Sequence, residues 1–220
     1  LNIELDILEI IQGANSLKKG QHYVNILSPS IGVGGYCLTK DPWFLSSLGE
    51  KNGADIKLPS MGRSVNDMMP SYSADQIFDY FEGINVNIDE VKIAVLGYSF
   101  KSNSGDIRFT PMETFIEEIR RRGVKNISVF DSTISPNIRK SKRVDWKDNW
   151  EECLNDADCL VYGAAHEDIA MINMNQIAEH ISENGLVFDG RRYLSKDQVS
   201  ELNSYGISYK GVGRSFSFES

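Results

Sequence analysis

The sequence has little of what several protein classes require. Its three cysteines, Cys37, Cys153 and Cys159, form neither the even set of a disulfide scaffold nor the paired spacing of a zinc site, and they suit a reducing compartment. Basic residues are not in excess: 23 Lys and Arg stand against 31 Asp and Glu, for a formal net charge of -8. That balance excludes a surface that tracks nucleic-acid phosphates, although a few placed cations could still hold a small anion. No apolar run approaches the roughly 20 residues of a membrane helix, and the start lacks the basic-then-apolar order of a secretory signal. The expectation is a cytoplasmic protein with neither a membrane nor a nucleic-acid partner. His22, His166 and His180 lack metal-ligand spacing, so surface or satisfied-core roles are expected of them and no metal is expected. A Gly-rich βαβ fingerprint is also missing. Leu1 stands inside an apolar periodic pattern with Leu5, Leu8, Ile10 and Ile11 and no Met precedes it, so the chain reads as a segment of something longer.

What is present is enough apolar residue, 41% of the chain, for a real core. The first part reads as helical. Residues 1–13 have helical spacing with Gly13 as a stop, Asp41 and Pro42 form a helix-start pair that predicts a helix over 43–51, and a further helix is expected over 59–81, kinked or broken at Pro70. From residue 91 strands alternate with helices. Strands are predicted at 91–97, 126–131, 158–163, 186–190 and 207–210. Helices are predicted from a capping box at Thr110, Pro111 and Glu113 to Gly123, and over 149–155, 173–182 and 195–203. Such alternation implies right-handed crossovers and a parallel sheet covered on both faces. The expected organisation is a helical central segment at 1–88 and a doubly wound α/β domain at 89–220.

The most specific stretch is SPSIGVGGYCLTKDPWFL at 28–45. Gly32, Gly34 and Gly35 permit positive φ and close backbone approach to a ligand. Cys37 is placed just ahead of the expected helix start, and both that helix N-terminus and Lys40 would favour its thiolate. Asp41, four residues on, could position or deprotonate a water. Against these stand plainer readings: Cys37 as a small buried apolar residue, Asp41 as an N-cap, Lys40 as a solvated cation. A hydrolase or acyltransferase role for Cys37 would need a histidine in reach, and the nearest in sequence, His22, lies on the far side of the Gly-rich loop.

This stretch resembles the active-site loop of the UDP-glucose/GDP-mannose dehydrogenase family, in which a Gly-rich loop leads into a Cys followed by a Lys-Asp or Val-Asp pair. The resemblance implies that Cys37 captures a C6 aldehyde as a thiohemiacetal, that a second NAD oxidises this to a thioester, and that Asp41 assists its hydrolysis to the uronic acid. It also implies that Ser28, Ser30, Gly32 and Gly34 line the nucleotide-sugar site and that Cys37 and Lys40 approach the NAD. One departure is at His22-Tyr23-Val24, ahead of Asn25 and Ile26, where relatives specific for N-acetylated sugars often carry an Arg that reaches a neighbouring subunit.

Two further segments carry the resemblance. LGYSFKSNSGDIRFTP at 96–111 is similar to the family's C-terminal domain, with a Phe-Lys pair and a later Asp-x-Arg after the first strand. By that pattern Phe100 and Lys101 contact the nucleotide-sugar and Arg108 reaches toward NAD, at the carboxyl end of a sheet where open α/β folds bind ligands. FDGRRYL at 188–194 resembles the family's Asp-Gly-Arg segment, making Arg191, ahead of Arg192, a candidate for phosphate or hydroxyl groups of the substrate. For each cation the alternative is a solvated surface residue or a partner for the many carboxylates. Asp131, after its strand, reads as a structural turn residue. SVNDMMP at 64–70 completes the resemblance.

Together these imply a Rossmann-like UDP-binding domain behind a central segment that dimerises through its helices, from an NAD-dependent UDP-sugar 6-dehydrogenase of polysaccharide precursor synthesis. The segment alone is expected to be inactive. The alternative is a non-catalytic module that binds UDP-sugar and dimerises. The sugar stays open: Lys40 resembles UDP-glucose enzymes, whereas DPWFL and VNIL resemble those acting on UDP-N-acetyl-mannosamine or UDP-N-acetyl-glucosamine.

Overall fold

The structure, a computed structural model, describes residues 6–16 and 25–214. Three helices come first: α1 (Ile7–Asn15), α2 (Tyr36–Lys51) and α3 (Leu58–Gly83). They are followed by β1 (Lys92–Leu96), α4 (Pro111–Arg121), β2 (Asn126–Phe130), α5 (Pro136–Ser141), β3 (Asp145–Trp146), α6 (Trp150–Leu154), β4 (Ala157–Tyr162), α7 (Glu167–Ala170), α8 (Met174–Ala178), β5 (Ile181–Asp189), α9 (Lys196–Ser204) and β6 (Ser208–Gly211). The six strands form one sheet in the order β3-β2-β1-β4-β5-β6, every pairing parallel. The expected doubly wound α/β fold is therefore what the chain adopts. Strands buried on both faces read as nearly continuous apolar runs, as KIAVL and ADCLVY do.

Two cores sandwich the sheet. On one face α4 (Phe115, Ile116, Ile119) and the second half of α3 (Ala74, Ile77, Phe81) pack against Ile93, Val95, Val129 and Val161. On the other, Leu154, Ile177, Val199 and Leu202 pack against Ala94, Leu96, Leu160 and Val187. The long helix thus serves as a layer of the sheet domain as well as part of the helical segment. It is tied in by Arg122, whose guanidinium reaches Asp75 and donates to Ser71 Oγ at 2.7 Å, and by Tyr80, whose hydroxyl donates to the Asn184 carbonyl at 2.8 Å. At the other end of the segment, the Ile7 N–H donates to the Gly213 carbonyl at 3.0 Å. Beside it Asp6 takes a buried ion pair from Arg192 at 2.6 Å.

Several local expectations needed correction. Asp41 and Pro42 do not start a helix: α2 begins at Tyr36 behind Gly35, whose φ of 87° makes the turn, and it runs through Pro42. Cys37 is accordingly the second residue of α2 rather than a residue ahead of it. α3 likewise continues through Pro70 without a break. Thr110 caps α4 as expected, but Glu113 does not complete a capping box, because its carboxylate pairs with Lys142. The helix expected over 173–182 stops at Ala178, since Ile181 already pairs with Ala157 on β4. The expected start at 1–5 lies outside the described residues. No helix among those described is long and apolar enough to cross a membrane.

The turn after β1 is held from beneath by Asp131 at the end of β2. Its Oδ2 accepts from the N–H of Tyr98 at 2.8 Å, the N–H of Ser99 at 2.9 Å and His166 Nε2 at 3.0 Å. Its Oδ1 accepts from the N–H and hydroxyl of Thr133. The Asn103 N–H donates to His166 Nδ1 at 2.9 Å, which leaves Nε2 as the protonated nitrogen of a neutral ring. Asp131 is thus the structural turn residue expected, and His166 is a satisfied core histidine. Burial alone would raise the Asp131 carboxyl, but the His166 ring and the Thr133 hydroxyl outweigh burial and hold it well below the usual carboxylate range. A depressed folded value means that its contribution to stability is present above the unfolded value of about 3.9 and is lost as pH falls below it. Asp131→Ala should cost about 3 kcal/mol or more, because it strands the buried N–H groups of Tyr98 and Ser99 and leaves His166 Nε2 with the Ser99 hydroxyl as its remaining partner. Urea titrations from neutral pH to about pH 3 should also show a shallower acid limb for the variant; an acid limb as steep as that of the unsubstituted chain would contradict this assignment.

Candidate functional site

The strand order reverses between β1 and β4, and the backbone there is packed too tightly for side chains. A Cβ on Gly97 would lie 2.5 Å from the Ala164 nitrogen, and one on Gly163 would lie 2.2 Å from the Gly97 carbonyl oxygen. A crevice outside the carboxyl ends of the strands at such a reversal is where open α/β sheets take ligands. The turn leaving β1 carries Phe100, Lys101 and Arg108.

The Gly-rich loop crosses this edge and is fastened to it at both ends. The Ile31 N–H donates to the Gly190 carbonyl at 3.0 Å, just past β5, and the Gly35 N–H donates to the Arg108 carbonyl at 2.9 Å. Between them the Val33 N–H donates to Asn66 Oδ1 of α3 at 2.9 Å. Gly34 is glycine because a Cβ there would stand 2.6 Å from both Phe100 Cβ and the Phe109 carbonyl. Ser30 Oγ donates to the Gly32 carbonyl at 2.7 Å and shapes the loop from within. Five residues of loop, 31–35, therefore link the turns that bear Arg191 and Arg108.

The structure brings Cys37, Lys40 and Arg108 together. Cys37 is exposed. The Lys40 ammonium pairs with Asp41 Oδ1 at 2.7 Å; that hydrogen bond, with a smaller contribution from Cys37, raises Lys40 above its ordinary value. The Arg108 guanidinium grips Asp106 through Nε at 2.9 Å and lies 4.9 Å over the Tyr36 ring. Asp106 raises Arg108 most, and Cys37 contributes to it as well. A cleft of about 740 Å³ opens between α2, α3 and the start of α4, lined by Tyr36, Lys40, Arg63, Asn66 and Phe109. Cys37 and Asp41 do not line it; they sit on another side of α2.

The other expected residues are spread along the same edge. Ser28 is exposed, Ser30 half-buried, and Gly32 and Gly34 buried. Phe100 is half-buried with its ring against Gly34 and Gly35, so the loop rests on it. Lys101 is exposed and Arg191 half-buried, and neither side chain makes a hydrogen bond or ion pair among the described residues. Burial lowers Arg191 from its ordinary value. Arg192 does the opposite job: at φ 53° it turns inward to Asp6 and Tyr209. The turn that separates the two arginines is set by Asp189, whose carboxylate accepts from the N–H groups of Arg191 at 3.1 Å, Tyr193 at 2.7 Å and Leu194 at 2.9 Å. The supporting role of Asp189 and the pairing of Asp131 with His166 were not read from the sequence, although the repeated Phe-Asp at the ends of β2 and β5 is a signal that could have pointed to Asp189. The departure at His22-Tyr23-Val24 lies outside the described residues.

A doubly wound sheet, with a Gly-rich loop fastened across its carboxyl edge and leading into a cysteine-bearing helix, defines the class, that of a Rossmann-like α/β domain joined to a helical segment. Comparison with known proteins gives the family. The model of the central domain of the UDP-glucose/GDP-mannose dehydrogenase family matches residues 2–68, and that of its UDP binding domain matches residues 94–196. The chain belongs to this family. It is 30% identical over 210 residues to the UDP-N-acetyl-D-mannosamine dehydrogenase of Pyrococcus horikoshii, a match covering 96% of this chain and 44% of that protein. The solved UDP-D-ManNAc dehydrogenase structure from Pyrococcus horikoshii superposes with a TM-score of 0.77 at 29% identity, over 96% of this chain and 45% of that one. The NDP-N-acetyl-D-galactosaminuronic acid dehydrogenase of Methanosarcina mazei Go1 gives 0.83 at 27% identity, over 96% and 44%. The chain thus spans less than half the length of these relatives.

The three thiols should separate cleanly by reactivity. Burial pushes Cys153 up to about 12 and raises Cys159 as well, whereas Cys37 is exposed. Iodoacetamide at about pH 8 should place a single carbamidomethyl group on the folded chain, on the peptide holding Cys37, with the other two thiols reacting only in denaturant. Comparable native labelling of Cys153 or Cys159 would contradict the packing described.

Proposed function

We propose that the chain is the central and UDP-binding portion of an NAD-dependent nucleotide-sugar dehydrogenase that oxidises the C6 hydroxyl of a UDP-hexose to a carboxylate in the cytoplasm, for polysaccharide precursors. The observation that carries the reading is the exposed Cys37 on the first turn of α2, with its loop hydrogen-bonded to the turns that bear Arg108 and Arg191. Helical and sheet parts divide as 1–88 and 89–220 in this reading.

In the proposed reaction, Cys37 Sγ adds to the carbon of a C6 aldehyde and the oxygen takes up a proton, giving a thiohemiacetal. After its oxidation to a thioester, Asp41 takes a proton from the attacking water, and the C–S bond breaks to return the thiol and release the uronate. Asp41 is one residue from Lys40 and accepts a hydrogen bond from its ammonium at 2.7 Å. Lys101 and Arg191 are proposed to hold the diphosphate, supported by the absence of a hydrogen bond or ion pair to either side chain among the described residues. Ser28, Ser30, Gly32, Gly34 and Phe100 are proposed, by the family pattern, to face the nucleotide-sugar along the same carboxyl edge.

NAD, implied by the family, would supply the acceptor of the hydrides removed. The residues present fit one edge of such a group: Lys40 and Arg108 are exposed cations near Cys37. Among the substrates to try first is UDP-N-acetyl-D-mannosamine, the sugar named for the relatives at about 30% identity.

A homodimer through the central helices is part of the proposal. Leu58, Met61, Val65, Met68 and Tyr72 recur at alternating steps of three and four along α3, and each is exposed. That spacing is the seam of a two-helix packing.

Two measurements test this reading. Calorimetry on the 220-residue chain should detect UDP binding that Lys101→Ala weakens about tenfold, with no NADH formed on adding UDP-sugar and NAD. Absence of UDP binding to either protein, or turnover by this chain alone, would count against it. Light scattering should give a dimer mass that Val65→Glu converts to a monomer; an unchanged mass removes the α3 seam.

A further inference from the structure

Pro42 lies inside α2 and has no N–H to donate, so the carbonyl of Leu38, four residues back, lacks its helical partner. Leu38 directly follows Cys37 in the first turn of α2, and its carbonyl would close the turn of residues 38–42 immediately after the thiol. The missing donor comes from another helix: Arg63 Nη1 of α3 donates to the Leu38 carbonyl at 3.4 Å. Arg63 is only 8% exposed, its Nη2 pairs with Asp67 one turn along α3, and its Nε is buried without a partner. A buried guanidinium with one nitrogen unsatisfied is a poor device for stability alone. An ion pair with Asp67 could form equally well with Arg63 turned to solvent; what burial adds is contact with the first turn of α2.

From this geometry we infer that Arg63 is a positioning residue for Cys37, supplying from α3 the hydrogen bond that Pro42 withholds and so fixing the turn that presents the thiol. The turn is then set by the seating of α2 on α3 rather than by α2 alone. The same α3 stretch holds the loop on the other side of Cys37, through Asn66 and the Val33 N–H. The functional meaning rests on reading Cys37 as the nucleophile; the mechanical claim does not.

The test follows the mobility of a nitroxide attached to Cys37, the exposed thiol, by electron paramagnetic resonance on the chain as it stands. Arg63→Met should shift spectral weight from the slow to the fast component. Pro42→Ala restores an N–H in reach of the Leu38 carbonyl, so the double variant Pro42→Ala/Arg63→Met should return to the original line shape. Asp67→Asn, which removes the ion pair and leaves the carbonyl contact, should leave the line shape unchanged. The inference is overturned by an unshifted spectrum in Arg63→Met, by a double variant as mobile as Arg63→Met, or by Asp67→Asn reproducing the shift. Should Arg63→Met fail to fold, recovery of folding in the double variant supports the inference and an unfolded double variant overturns it. Turnover plays no part in this readout, so its failure is distinct from a failure of the dehydrogenase reading.

Discussion

The site depends on one contact, the seating of Gly34 and Gly35 on the turn that leaves β1. The Gly35 N–H donates to the Arg108 carbonyl, and a Cβ on Gly34 would come within 2.6 Å of Phe100 Cβ, so there is no room for a side chain. They fix the loop against the sheet before any ligand arrives. The helix that follows starts at Tyr36, directly after Gly35, so the place of Cys37 relative to the carboxyl edge is determined by that contact. Everything that supports the turn therefore supports the thiol. Asp131 and His166 hold it from below, Thr110 holds it through the Tyr98 carbonyl at 2.6 Å, and the close passage of Gly97 past Ala164 seats it at the strand-order reversal.

Charge is distributed with the same economy. Arg192 and Asp6 are buried together and join α1 to the far end of the sheet, a pairing of residues 186 apart. Arg108 and Lys40 keep an acidic neighbour each and stay exposed near Cys37. Neither the Lys101 nor the Arg191 side chain makes a hydrogen bond or ion pair among the described residues, and they stand on the turns after β1 and β5 that the loop joins. An anion is the natural complement of two such cations. A net charge of -8 does not prevent this, because local placement governs a small ligand whereas overall balance governs long-range attraction.

Most of the fold was legible because its strands are buried on both faces and therefore announce themselves as short apolar runs ending in Gly or Asp. The two-residue β3 and the single-turn α7 carry no period to read. The misplaced start of α2 has a tertiary cause. Asp41-Pro42 is a sound local start signal, but a positive φ at Gly35 and a donor from Arg63 let the helix begin earlier and run through the proline. At the site, residue types and spacing pointed to Cys37 and Lys40, the family resemblance added Arg108, and the structure brings those three together. The division of labour between Arg191 and Arg192 was only partly visible, since it depends on Asp6, 186 residues from Arg192, which no sequence spacing connects to it.

The central claim is that Cys37 becomes covalently acylated by an oxidised nucleotide-sugar. Its most direct test is denaturing mass spectrometry of the longer parent protein, quenched during turnover with UDP-N-acetyl-D-mannosamine and NAD in the Asp41→Asn variant, where release should be slowed. The account predicts a nucleotide-sugar acyl group on the peptide containing Cys37 and none when Cys37 is replaced by Ser. Turnover that persists in Cys37→Ser, or an adduct carried by any other residue, would contradict it.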